Sequence, residues 1–140
     1  MNHSMSSSAD LSALCLVESY ATASVHSSEV NALARKKHSH GCHSLPPRFL
    51  RHADEQTIIG MHSIIRALAV DTQDSRDMSN DAVIAATCLA GQPSAARTMI
   101  GLRDKGPVAV TPHIVAQCSV HSVASAARVG FGMHGPNLCV

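Results

Sequence analysis

Between residues 53 and 70, apolar positions recur at spacings of three and four. Ile58, Met61, His62, Ile65, Leu68 and Ala69 share one face, which predicts an amphipathic helix. Asp54 and Glu55 stand in its first turn, where the helix dipole favours negative charge. Residues 82–89 are small and apolar without alternation, bounded by Asp81 and Gly91, and predict a buried strand covered on both faces. Pro93 suits the first turn of a helix over 94–105, which Gly106 and Pro107 stop. Pro112 opens a further helix reaching about Val129. It is rich in Ala and Ser, with Ile114, Val115, Cys118, Val123 and Val129 as its larger apolar members. Its small side chains predict tight packing on several sides. Gly130, Gly132, Gly135 and Pro136 break it, and 137–140 begins a strand. The order helix, strand, helix, helix, strand predicts an α/β layered fold.

The N-terminal part reads differently. Residues 1–10 are Ser-rich and polar, and fraying is expected there. Residues 11–23 mix apolar and small side chains, with a short strand expected at 13–17. The stretch 26–47 is polar, basic and His-rich. It reads as a loop or linker ended by Pro46 and Pro47, and 71–81 also reads as a loop. The expected organisation is a polar, partly flexible segment over 1–44 and a domain over 45–140.

Composition narrows the classes. The chain has 140 residues, of which 45% are hydrophobic, enough for one core. Aromatics make up 2% and Trp is absent, so the core must be built from smaller apolar side chains. Each buries little area at roughly 25 cal/mol per Å². The expectation is marginal stability alone, or a large interface with another chain. A formal net charge of +1 argues against nucleic-acid binding. No run approaches the ~20 apolar residues of a membrane span, and the N-terminus lacks a signal-peptide pattern. Five cysteines at 15, 42, 88, 118 and 139, without a CxxC pair, suit reduced thiols. These features imply a soluble, cytoplasmic protein with no membrane partner and no cofactor.

The stretch 105–140, KGPVAVTPHIVAQCSVHSVASAARVGFGMHGPNLCV, carries Gly106-Pro107, then Pro112, a helix of small residues, and Gly132-x-x-Gly135-Pro136-Asn137 before a strand. This order resembles the N-terminal part of a β-ketoacyl synthase of the thiolase superfamily. Upstream, LPPRFLRHADEQTIIGMHSIIRAL over 45–68 is similar to the arginine-rich turn and following helix near the start of those enzymes. The strand at 82–89 takes the place of their next core strand. The resemblance covers about two thirds of the chain. It implies an incomplete thiolase-like layered fold, with helices packed on a small mixed sheet.

The same resemblance implies what the chain lacks. In the family, the strand after Gly-Pro-Asn runs into a Thr-Ala-Cys-type elbow whose thiolate takes the acyl chain from a carrier protein. The chain ends at Val140, before that elbow, and Cys139 follows Asn137 too soon to be the nucleophile. The later family histidines have no counterpart, and the glycine-rich first strand is not recognisable before Leu45. Gly132, Gly135, Pro136 and Asn137 are then structural residues leading to an absent active site, with no catalytic residue. The expected function is that of a ketosynthase-like fragment or non-catalytic subunit of acyl-chain condensation in fatty-acid or polyketide synthesis, inactive alone. Its partners would be a second copy or a complementary ketosynthase half, with an acyl carrier protein steered by Arg35, Lys36, Lys37, Arg48 and Arg51.

The alternative is a small His-rich metal-binding or interaction protein. His38, His40, Cys42 and His43 are dense in ligands for Zn²⁺ or Cu, though their spacing matches no standard zinc module. Met1-Asn2-His3 has the third-position His that chelates Cu²⁺ or Ni²⁺ when the amine is free. His62, His113 and His121 read as hydrogen-bonded core or boundary histidines, and Cys88 and Cys118 as small buried residues. No P-loop, dinucleotide fingerprint or Ser-His-Asp grouping is present.

Overall fold

The computed structural model describes residues 19–36, 39–40, 43–46, 48–69, 77–87, 91–119 and 121–140. The strand expected at 13–17 lies outside them. Among them five α-helices and four short strands follow in the order α1 (Val30–Arg35), β1 (Ser39–His40), β2 (His43–Ser44), α2 (Glu55–Leu68), β3 (Val83–Ala85), α3 (Gln92–Lys105), α4 (Ile114–Cys118), α5 (Ser122–Phe131) and β4 (Asn137–Cys139). The fold is α/β. Among the described residues the strands form two separate pairs in place of the single mixed sheet expected. One is the antiparallel hairpin β1–β2, and the other is the parallel pair β3–β4.

The stripe expected on α2 is its buried face. Ile58, Met61 and Ile65 are buried, joined by Thr57, while His62 and Leu68 sit at its margin and Ala69 is exposed past the helix end. Asp54 is the N-cap, and its side chain accepts from the Thr57 amide at 2.9 Å. Layers build outward from α2. Helix α1 lies against one side of it, and α5 lies between α2 and the parallel pair β3–β4. The stretch 26–47 therefore departs from the linker reading. It carries α1, whose Val30, Leu33 and Ala34 enter the same core as Ile58, Met61 and Phe131. Packing overrides propensity here, because a six-residue helix is too short to persist without a partner.

The helix expected over 112–129 is interrupted. Ser119 is extended, and its hydroxyl accepts from the His121 amide at 3.2 Å, so the chain restarts as α5. A serine side chain competing for backbone groups is a known way to end a helix. α5 buries Ala124, Ala127 and Phe131, while Val129 is exposed. α5 is packed on two sides, against α2 and against the β3–β4 pair, as its small side chains predict. On the α2 side the approach is close: an added Cβ on Gly60 would stand 3.0 Å from Val123. α3 follows its expected limits, with Pro93 in the first turn and Gly106 at the end. Its apolar side chains are left uncovered, with Met99, Ile100 and Leu102 all exposed.

Met61 has no exposed surface. Met61→Ala is expected to cost about 2–5 kcal/mol of unfolding free energy, whereas Met99→Ala stays within about 0.5 kcal/mol. Urea denaturation of both variants checks this difference.

Candidate functional site

The turn from Gly132 to Asn137 has a definite structural task. Gly132 takes the left-handed conformation, φ 66° and ψ 28°, and closes α5 as a C-terminal glycine should. Arg128 reinforces the end: its carbonyl accepts from the Met133 amide at 3.0 Å, and its Nε donates to the Met133 carbonyl at 3.1 Å. The chain then runs against the turn before β3. The His134 amide donates to the Ser79 carbonyl at 2.7 Å. At Gly135 a Cβ would collide with the Asp81 carbonyl oxygen and lie 2.7 Å from that of Asn80, so only glycine fits. Pro136 needs no amide partner, and its carbonyl accepts from Val83 at 2.9 Å. Asn137 then opens the parallel ladder opposite Val83.

These four residues come together as one structural device that seats β4 beside β3. Asn137 Oδ1 is buried without a protein hydrogen-bond partner among the described residues. Cys139 is the last residue of β4, its sulfur 3.5 Å from Thr87 Oγ1.

A second group sits where α2 meets α5. Ser122 Oγ donates to Asp54 Oδ2 at 2.9 Å. Thr57 Oγ1 lies 2.9 Å from the same oxygen and 2.7 Å from Ser122 Oγ. Thr57 has one hydroxyl proton, which it gives to one of these two acceptors. Asp54 and Thr57 are buried, so this carboxylate is held by a backbone amide and two hydroxyls in place of water. Thr57 and Ser122 also form the polar floor of an open groove of about 330 Å³, walled by Phe49, Leu50, Ala126 and Val129. Sequence reasoning took Asp54 as a dipole charge and missed the cluster. The available signal was a capping residue, Asp54, followed three positions later by the hydroxyl of Thr57. Ser122 gave none, because it is far away in the chain.

At one rim of this groove, His52 and His113 stack with ring centroids 3.9 Å apart and planes inclined by 13°. Partial desolvation, the charge of His113 and the charge of Arg51 hold the His52 imidazole below its usual range. His113 and His121 are both exposed, in place of the core or boundary positions expected, whereas His62 does lie at a boundary. Cys118 is half-buried.

For the His-rich cluster the structure gives only a backbone. His40 pairs with His43 across β1–β2. Residues 38 and 42 and the side chains of His40 and His43 lie outside the described part. Among the described residues no group of three or more metal-ligating side chains is present. No helix there is long and apolar enough to cross a membrane. No protein-family model, curated protein or solved structure matches the chain.

Gly135→Ala is expected to destabilise the chain by more than about 2 kcal/mol, because the added carbon must displace backbone. Gly132→Ala, with open space around it, should cost only about 1 kcal/mol for the left-handed conformation. Thermal or denaturant unfolding of the two variants tests that order.

Proposed function

We propose that this chain is a ketosynthase-like unit of thiolase fold, a fragment or non-catalytic subunit related to acyl-chain condensation in fatty-acid or polyketide synthesis, without condensing activity alone. The observation that carries the reading is the parallel β3–β4 pair, joined through α3, α4 and α5 and closed by the Gly132–Asn137 turn. The order of its parts is that of the resemblance, with Gly-x-x-Gly-Pro-Asn serving as the lead-in to a core strand.

The incompleteness of the layers supports the second half of the proposal. Parallel strands are normally covered on both faces. Here α5 covers one face, while Ile84 and Leu138, register partners on adjacent strands, are 69% and 54% exposed. Met99, Val108 and Val115 add exposed apolar surface on and beside α3 and α4. A unit with these uncovered faces suits completion by a second copy or a complementary ketosynthase half. An acyl carrier protein would be the source of the acyl chain for such an assembly.

The placement of Cys139 supports the non-catalytic reading. It stands within a strand, whereas an acyl-accepting cysteine is activated at a helix N-terminus or beside a base.

Two measurements on the purified chain test the proposal. Treatment with a cysteine-directed ketosynthase inhibitor should label no cysteine stoichiometrically. Co-expression with a downstream ketosynthase half should raise the soluble yield and give a complex in sedimentation. Stoichiometric acylation of one cysteine contradicts the non-catalytic role. A stable monomer indifferent to that partner contradicts the incomplete layer.

A further inference from the structure

A cleft that shares His52 with the groove is lined by Asn31, Ala34, Arg35, Arg48, Arg51 and His52 and has a volume of about 720 Å³. We propose that it is a binding site for a small phosphorylated ligand, held through a phosphate dianion by Arg35, Arg48 and Arg51. This inference stands independently of the ketosynthase-like reading.

Three observations carry it. First, the positive charge is local. The whole chain has a formal charge of only +1, yet three arginines and, among the described residues, no Asp or Glu line one cleft. The acids that follow Arg51 in sequence are engaged elsewhere, Asp54 with Thr57 and Ser122 and Glu55 with Arg97 at 3.2 Å, while Glu29, nearest to Arg35, lines a different pocket. The side chains of Arg35, Arg48 and Arg51 have no hydrogen-bond or ion-pair partner among the described residues, so their like charges repel.

Second, the geometry gathers them. Arg35 ends α1, one turn beyond Asn31 on the same face, and Ala34 between them leaves the floor open. Arg48 and Arg51 come from the turn that leads into α2, where the Arg51 amide donates to the Arg48 carbonyl at 2.9 Å. Third, Arg48 is the one non-glycine residue with positive φ, 66°, among the described residues. A side chain held in the left-handed region is characteristic of ligand clamps.

The donor set selects the ligand class. One arginine satisfies a carboxylate bidentately. Three forked donors exceed what two oxygens and a single charge can use, and they match the several oxygens and double charge of a phosphate. A volume of 720 Å³ exceeds a lone phosphate and leaves room for the rest of a small molecule. His52 adds a group whose protonation an anion would favour. It faces Arg51 in the cleft and His113 behind it.

The test is calorimetric titration of the full chain with inorganic pyrophosphate at fixed ionic strength. The variants are Arg48→Gly and Arg51→Gln, with Arg103→Gln, on α3 outside the cleft, as control. Arg48→Gly removes the guanidinium while keeping the backbone conformation natural to glycine, so it remains folded. The expected result is one saturable site, weakened about tenfold or more by Arg48→Gly and by Arg51→Gln and unchanged by Arg103→Gln. Acetate should not compete, and the His52 imidazole pKa, followed by NMR, should rise on binding. Equal weakening by all three variants, effective competition by acetate, or no saturable binding overturns the proposal. Binding of an acidic carrier protein that depends on the same arginines, without pyrophosphate binding, overturns it in favour of a protein-docking surface.

Discussion

The structure turns on a buried carboxylate between two helices. Asp54 caps α2 through one oxygen and receives Ser122 of α5 on the other, so a single side chain fixes both where α2 begins and where α5 lies across it. Burying a charge is costly unless every lone pair finds a donor. Here the Thr57 amide and the Ser122 hydroxyl donate to Asp54, and the Thr57 hydroxyl donates either to it or to Ser122. Because α5 also lies against the parallel strands, the position of the β3–β4 pair depends on this joint.

Close approach complements the polar tie. Gly60 of α2 faces Val123, Ala124 and Ala127 are almost wholly buried, and Ala127 joins the same core as Ile58 and Met61. Gly130 stands where a Cβ would meet Leu45 at 2.6 Å. A core almost without aromatics gains its contacts by bringing backbones near one another, not by filling space with large side chains. The same economy leaves little material for the outer surfaces. That is why Ile84 and Leu138 on the sheet, and the apolar residues of α3, remain in contact with solvent.

Strong periodicity and glycine or proline punctuation made α2, α3 and the start of β4 legible in the sequence. Ile58, Met61 and Ile65 repeat with the helical period, and Pro93, Gly106 and Asn137 mark ends by local backbone chemistry. α1 was not legible, because six residues between polar, basic neighbours carry no repeat, and its existence depends on packing against α2. The break at Ser119 was hidden inside an Ala- and Ser-rich run that favours helix on both sides. Of the candidate sites, the Gly132–Asn137 turn was visible as a motif. The hydroxyl–carboxylate cluster and the arginine cleft were not, since each joins residues from separate elements.

The most direct measurement is a double-mutant cycle between Asp54→Ala and Ser122→Ala by equilibrium unfolding. Loss of the cap by Asp54→Ala costs the same with Ser122 present or replaced and cancels, which leaves the tie between the helices. If the joint organises the fold, the coupling energy is about 1 kcal/mol or more, in the range of hydrogen bonds to a charged group. Additive effects, with coupling below about 0.3 kcal/mol, would mean that the two helices hold their positions without it.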